Sequence, residues 1–268
     1  MRITLFITVA LLALGGCNES AKPTADIAAT AESKPEPVAP TSIYADAVAS
    51  SGRTDSDRER DARRKPAAVL EFFAIQPGMT VLDMFSGGGY YTEMLSNIVG
   101  ADGNVVTHSN KAYAQFVGDE PIVRYANERL ANVEILMAEN NELELPADTF
   151  DVVMMVLAYH DIYYESTENG WLKIDGPKLL AEFFSGLKSG GTLAVVDHYA
   201  AAGSPRETGG TLHRIDPSIV IAEIEAAGFV LDGKSDVLRN LEDDHSLNMF
   251  DEQIRGKTDR FVMKFRKP

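Results

Sequence analysis

Between residues 80 and 265 the chain alternates short apolar runs with segments whose apolar positions recur every three or four residues. The runs at 80–84, 104–107, 133–137, 150–157 and 192–196 have the length and composition of strands. The fourth reads Phe-Asp-Val-Val-Met-Met-Val-Leu, apolar almost throughout, which predicts a strand covered on both faces. Helical spacing falls at 91–99, 112–130 (with a break at Pro121), 177–187 and 217–227. A sixth strand is expected to begin at 229–232, and the alternation at 260–265 predicts an antiparallel last strand. Upstream, 55–73 predicts a helix that places Arg58, Asp61 and Arg64 on one face and restarts at Pro66. Its Val69, Leu70, Phe72 and Phe73 are expected to cover the sheet edge. The whole pattern predicts an α/β domain: a mostly parallel seven-stranded sheet with an antiparallel last strand and helices on both faces.

The first 44 residues do not follow this pattern. Arg2 precedes a short apolar run from Ile3 to Leu14, and Gly15-Gly16-Cys17 follows, which reads as an export signal too short to span a membrane stably. Leu14-Gly15-Gly16-Cys17 resembles a bacterial lipobox, so residues 1–16 are expected to be removed and Cys17 to carry a lipid. Cys17 is the single cysteine, which excludes an internal disulfide. Residues 17–44, rich in Ala, Pro, Thr, Ser and Glu, are expected to tether a domain at 45–268 to a bacterial membrane, facing the periplasm. The chain is 45% apolar, enough for a core, and its net charge of −15 argues against a nucleic-acid partner. A small or cationic substrate suits that charge better.

Candidate chemistry begins where the first strand ends. Asp83-Met84-Phe85-Ser86-Gly87-Gly88-Gly89 is a strand end and glycine-rich turn running into a helix start. Glycines let backbone approach a ligand closely, the helix start offers free N–H groups, and Asp83 can accept from a ligand ammonium. Such a turn serves a dinucleotide, a flavin or a methyl donor equally well. The lead-in Leu145-Pro146-Ala147-Asp148-Thr149-Phe150-Asp151 and the antiparallel last strand narrow the choice. With the turn, they resemble the class I S-adenosylmethionine-dependent methyltransferases. Arg58 to Asp61, Arg64-Lys65-Pro66, Tyr159-His160-Asp161, Leu212 to Asp216 and Ile254 to Phe261 are similar to a bacterial family of predicted methyltransferases.

The resemblance implies a Rossmann-like fold with S-adenosyl-L-methionine as cofactor and a small-molecule acceptor. It implies donor contacts from Asp83, Ser86, Gly87, Gly88 and Gly89, and adenine contacts from Glu139 and Asn140. The chain departs from the family twice: Phe85 stands where the turn usually has Gly, and no acidic residue ends the second strand. Ser109, Asn110 or His108 is left for the ribose. Four of the five histidines, His108, His160, His198 and His213, follow strands or lie in the loop beyond the fifth, where a parallel sheet places its ligand crevice. His160 and Asp161 are the expected catalytic centre beside the methyl position. No tight metal motif occurs, and no metal is expected. Tyr90, Tyr91, Tyr159, Tyr163, Tyr164, Trp171 and Tyr199 are candidates for a pocket wall. Two rival readings are a non-catalytic ligand-binding lipoprotein on this fold and a metal-assisted hydrolase using the histidine rim.

Overall fold

A computed structural model describes residues 42–268; the signal segment, Cys17 and nearly all of the expected tether lie outside the described residues. The first helix, α1, spans Ile43–Ala49, capped by the Ser42 hydroxyl. Tyr44 is buried and its hydroxyl accepts from Gln76 Nε2 at 3.0 Å, so residues 43 and 44 belong to the domain and not to the expected tether. Helices α2 (Asp55–Arg64) and α3 (Pro66–Phe72) follow. Thr54 and Asp57 cap α2 reciprocally, and Lys65, at φ 42°, makes the corner before Pro66.

From there strands and helices alternate as the apolar pattern requires: β1 Thr80–Met84, α4 Tyr90–Val99, β2 Asn104–Ser109, α5 Lys111–Val117, α6 Glu120–Tyr125, β3 Val133–Met137, β4 Phe150–Val156, α7 Gly176–Gly186, β5 Leu187–His198, α8 Thr208–Leu212, α9 Pro217–Ala226, β6 Val230–Ser235 and β7 Arg260–Arg266. The helix expected at 112–130 breaks near Pro121 as read, into two short helices, because Gly118 ends α5 at φ 71° and Pro121 opens α6, which stops at Tyr125.

The sheet order is β3-β2-β1-β4-β5-β7-β6. β1 to β5 are parallel, and β7 runs antiparallel between β5 and β6. Alternate residues build two cores. Leu82, Met84, Val153, Met155 and Val195 pack with α7 and α9. Val81, Val105, Val152, Met154 and Val196 pack with α3 and α4. Val69, Leu70 and Phe73 therefore cover a sheet face, not the expected edge. β5 runs well beyond the expected 192–196, since its pairing with β7 continues to Asp197↔Phe261 and His198↔Arg260. The chain reverses its winding between β1 and β4, so the carboxyl ends of these strands border the crevice where such sheets take ligands.

Candidate active site

The β1 turn is held from below and from the side. Asp83 is 3% exposed, and Thr92 Oγ1 on α4 donates to its carboxylate at 2.6 Å. Burial pushes the Asp83 carboxyl up to about 7, against the pull of the Thr92 hydrogen bonds. The next residues coil tightly: Phe85, Gly87 and Gly89 have φ of 54°, 60° and 79°. A Cβ at Gly88 would strike the Glu120 carboxylate, and one at Gly89 would lie 2.7 Å from Arg124 Cδ. At Gly89 the close approach and the φ of 79° together favour glycine, while at Gly88 the exposed Glu120 side chain can swing aside. Arg124, 6% exposed, donates to the Gly88 carbonyl, to Asp57 at 2.8 Å and to Glu93 at 2.5 Å. Although burial opposes it, Arg124 holds Asp57 below the usual carboxylate range, and Arg129 with Arg124 does the same for Glu93. One guanidinium thus ties α2, α4 and the turn together.

A cavity of about 630 Å³ opens against this turn. Asp83, Ser86, Gly87 and Gly88 line it, as expected from the sequence. Gly89 does not; it is the N-cap residue before α4. Asn110, Glu139 and Asn140 lie off the cavity too. Asn110 caps α5 through Tyr113 N at 2.7 Å and donates to Asn140 Oδ1 at 3.2 Å, while Glu139 accepts from Lys111 N at 3.3 Å. Phe85 is buried, stacked on Trp171 with ring centroids 5.8 Å apart, and edge-on to His108 and Tyr113. It fills the space that a glycine there would leave open. His108 Nε2 donates to the Ala138 carbonyl at 3.0 Å, and burial lowers its pKa to about 4, so the ring is neutral. Asn140 Nδ2, Trp171 Nε1 and His108 Nδ1 are buried without a hydrogen-bond partner among the described residues.

His160 and Asp161 sit on a short 3-10 turn after β4, at Tyr159–Tyr163, packed against α8. A Cβ at Gly209 would lie 2.6 Å from the His160 carbonyl, which is why a glycine pair can face this turn. The His160 ring is 1% exposed and does not line the cavity. Its Nδ1 donates to Asp197 at 2.7 Å, and its backbone N–H donates to the same carboxylate at 2.8 Å. Burial opposes its charge, yet the Asp197 and Asp161 carboxylates lift its pKa to about 9. An imidazolium at neutral pH has no lone pair with which to act as a base. Among the described residues, His160, Asp161 and His213 bring one ligand atom each within 4.8 Å of one another, the spacing of a metal site. A cation there would have to displace the proton on His160.

The histidine that does face the cavity is His198, the last residue of β5. It is 4% exposed, its Nδ1 is 2.6 Å from Thr258 Oγ1, and its Nε2 has no partner among the described residues. Burial, with His160, Arg260 and Arg214 nearby, holds its pKa well below 6.5 and keeps it neutral. Arginines from α2 and from the approach to β7 complete the wall. They were legible only as basic residues in family-like segments, because residues 60–64 and 255–260 are joined by nothing but the fold.

The family-model match falls on the first half of the fold. The family model described as protein-L-isoaspartate(D-aspartate) O-methyltransferase matches residues 39–161, ending in the 3-10 turn after β4; His198 and the C-terminal arginines lie beyond it. The ubiquinone/menaquinone biosynthesis C-methyltransferase UbiE of Vibrio campbellii is 30% identical over 129 residues, 48% of this chain and 45% of that protein. The corresponding enzyme of a Marinomonas species is 28% identical over 124 residues, 46% and 44% of the two chains. The chain thus matches less than half the length of these curated relatives. A methyltransferase of Aquifex aeolicus superposes with a TM-score of 0.56 at 21% identity, covering 81% of this chain and 100% of that one. The [4+2]-cyclase SpnF superposes at 0.51 with 17% identity, covering 82% and 85%. The structural likenesses show a Rossmann-like fold of the methyltransferase type, and the family-model match to a methyltransferase falls on the half that carries the glycine turn.

Proposed function

We propose that the domain transfers the methyl group of S-adenosylmethionine to a small-molecule acceptor in the cavity beside the β1 turn. The observation that carries this reading is Asp83, a buried carboxyl in the cavity wall that lacks a cationic partner among the described residues, next to a glycine turn open to close approach. A donor ammonium is the partner that this carboxyl lacks. Gly87 and Gly88 leave room for the donor's amino-acid end. The donor brings an activated methyl group, and the protein's share of the work is alignment. His198 Nε2 is the group placed to take a proton if the acceptor must lose one. His160 acts as a positioning residue, tying the turn after β4 to Asp197 at the end of β5 beside His198, with the Asp161 carboxylate 3.4 Å from its Nε2. S-adenosylhomocysteine is expected to bind the full chain below millimolar concentration by calorimetry. No binding of it or of the donor at millimolar levels removes the reading. Binding without methyl transfer to any extract component favours a non-methylating reaction, such as the one named for the SpnF fold relative.

The N-terminal segment supports a second part of the proposal, that the protein is exported and anchored through a lipid on Cys17, facing the periplasm. Cys17→Ser is expected to shift the protein from the membrane to the soluble fraction, since several acyl chains anchor stably and none anchors at all. A mature protein that keeps Met1 at its N-terminus contradicts this placement.

A further inference from the structure

Resting on the methyl-transfer reading, we propose that the acceptor is a small anion, a phosphate- or carboxylate-bearing molecule held by Arg64, Arg255 and Arg260. The charges in the cavity wall carry this. The chain has a net charge of −15, yet five arginines line one cavity against two carboxylates, Asp83 and Glu120. Of the five, Arg60 is paired with Asp57 at 2.5 Å. Arg63, Arg64, Arg255 and Arg260 have no carboxylate within ion-pair distance among the described residues. Arg64 rests over the Tyr90 ring at 4.7 Å, a contact that holds a guanidinium in place without neutralising it.

Arg260 is the most telling of these. It is only 7% exposed; its Nη2 donates to the Arg63 carbonyl at 2.5 Å, and its Nε has no partner at all among the described residues. Burying an unpaired guanidinium is costly, and burial together with the like charges of Arg64 and Arg63 presses its pKa down. His198 Nε2, equally buried and equally without a partner, lines the same space. An orphaned guanidinium nitrogen and four arginines without a carboxylate partner around one cavity describe a receptor for negative charge. The donor's one carboxylate answers one arginine, and the donor brings its own ammonium and sulfonium charges. Arg63 and Arg255 reach solvent, but Arg64 is partly buried and Arg260 buried, which leaves a place for a second anion, and the remaining reactant is the acceptor.

The test is calorimetry on the full chain with inorganic phosphate and with citrate as probes, at fixed ionic strength, with and without saturating S-adenosylhomocysteine. At least one probe is expected to bind in the presence of S-adenosylhomocysteine. Arg255→Gln, at an exposed position that does not threaten folding, is expected to weaken that probe about tenfold while changing S-adenosylhomocysteine affinity less than twofold. Arg260→Gln is expected to do the same, with its thermal midpoint measured alongside to show that it folds. Failure of both probes overturns the proposal. So does competition between probe and S-adenosylhomocysteine together with loss of S-adenosylhomocysteine binding in Arg255→Gln, which assigns the cluster to the donor's own carboxylate. Probe binding without any S-adenosylhomocysteine binding removes the methyl-transfer reading and leaves the anion site standing.

Discussion

Arg214→Met is expected to lower the free energy of unfolding by about 3–5 kcal/mol, the usual cost of breaking a buried ion pair from one side. Arg214 is fully buried. Its guanidinium meets Asp243 at 2.8 and 3.0 Å through two nitrogens, and donates to the Leu247 and Tyr199 carbonyls at 2.7 and 3.0 Å. Asp243 is 5% exposed and, among the described residues, has no other cation and otherwise accepts only backbone N–H groups, from Asp259 at 2.6 Å and His245 at 3.1 Å. Removing the guanidinium leaves a charge in a site that water does not reach. Replacing both partners with apolar residues, Arg214→Met with Asp243→Leu, is expected to restore much of the loss, because neither charge is then stranded. Urea unfolding with an unchanged slope is the measurement. A loss below about 1 kcal/mol in the single variant shows that the pair contributes little. The pair also matters for function, since it fixes the irregular segment that carries Phe250 and Arg255 to the cavity.

The strands that frame the site were readable in the sequence because their patterns have one solution. Residues 80–84 and 133–137 coincide with β1 and β3, and 150–157 outruns β4 by one residue. An apolar run of that length between turn residues has no exposed face to offer a helix. Elements without such a pattern were missed. Helix α8 contains Thr-Gly-Gly-Thr-Leu, which local propensity argues against; it forms because two glycines let it approach the turn at His160. Helix α1 follows an Ala- and Pro-rich tract and shows itself only through Tyr44 and Ala47 packing into the core.

The histidines show the same limit at the level of the site. His160 and His198 both follow apolar runs, and nothing in the chain says which one meets the cavity. That is decided by Asp197, which takes His160 from one side, and by the continued pairing of β5, which carries His198 to Thr258. The arginine wall was hidden for a further reason. Arg64 and Arg260 are nearly two hundred residues apart, and only the return of β7 beside β5 brings them to one space.

Asp83→Asn is expected to make the unliganded protein more stable at pH 8, by up to about 4 kcal/mol, and to leave it unchanged near pH 3. A carboxyl whose pKa is 3.8 when unfolded and about 7 when folded binds its proton more tightly in the native state. Its contribution to stability is complete below 3.8, falls by about 1.4 kcal/mol per pH unit from there to 7, and is gone above 7. Asparagine is neutral throughout and keeps an oxygen for the Thr92 hydroxyl, so it escapes the loss. Subtracting the variant's stability profile from that of the wild type cancels the other titrating groups and isolates this one. The ligand reverses the order. If Asp83 receives the donor's ammonium, S-adenosylhomocysteine must bind the ionised carboxyl, and its affinity for the wild type should rise about tenfold from pH 6 to pH 8. In Asp83→Asn that rise should vanish, and affinity at pH 8 should drop by about 1.5–3 kcal/mol, the worth of a hydrogen bond to a charged group. The variant would then be the more stable protein and the poorer binder. A stability difference that does not change with pH means that the carboxyl titrates normally. Equal affinities at pH 8 place the donor's ammonium on some other residue.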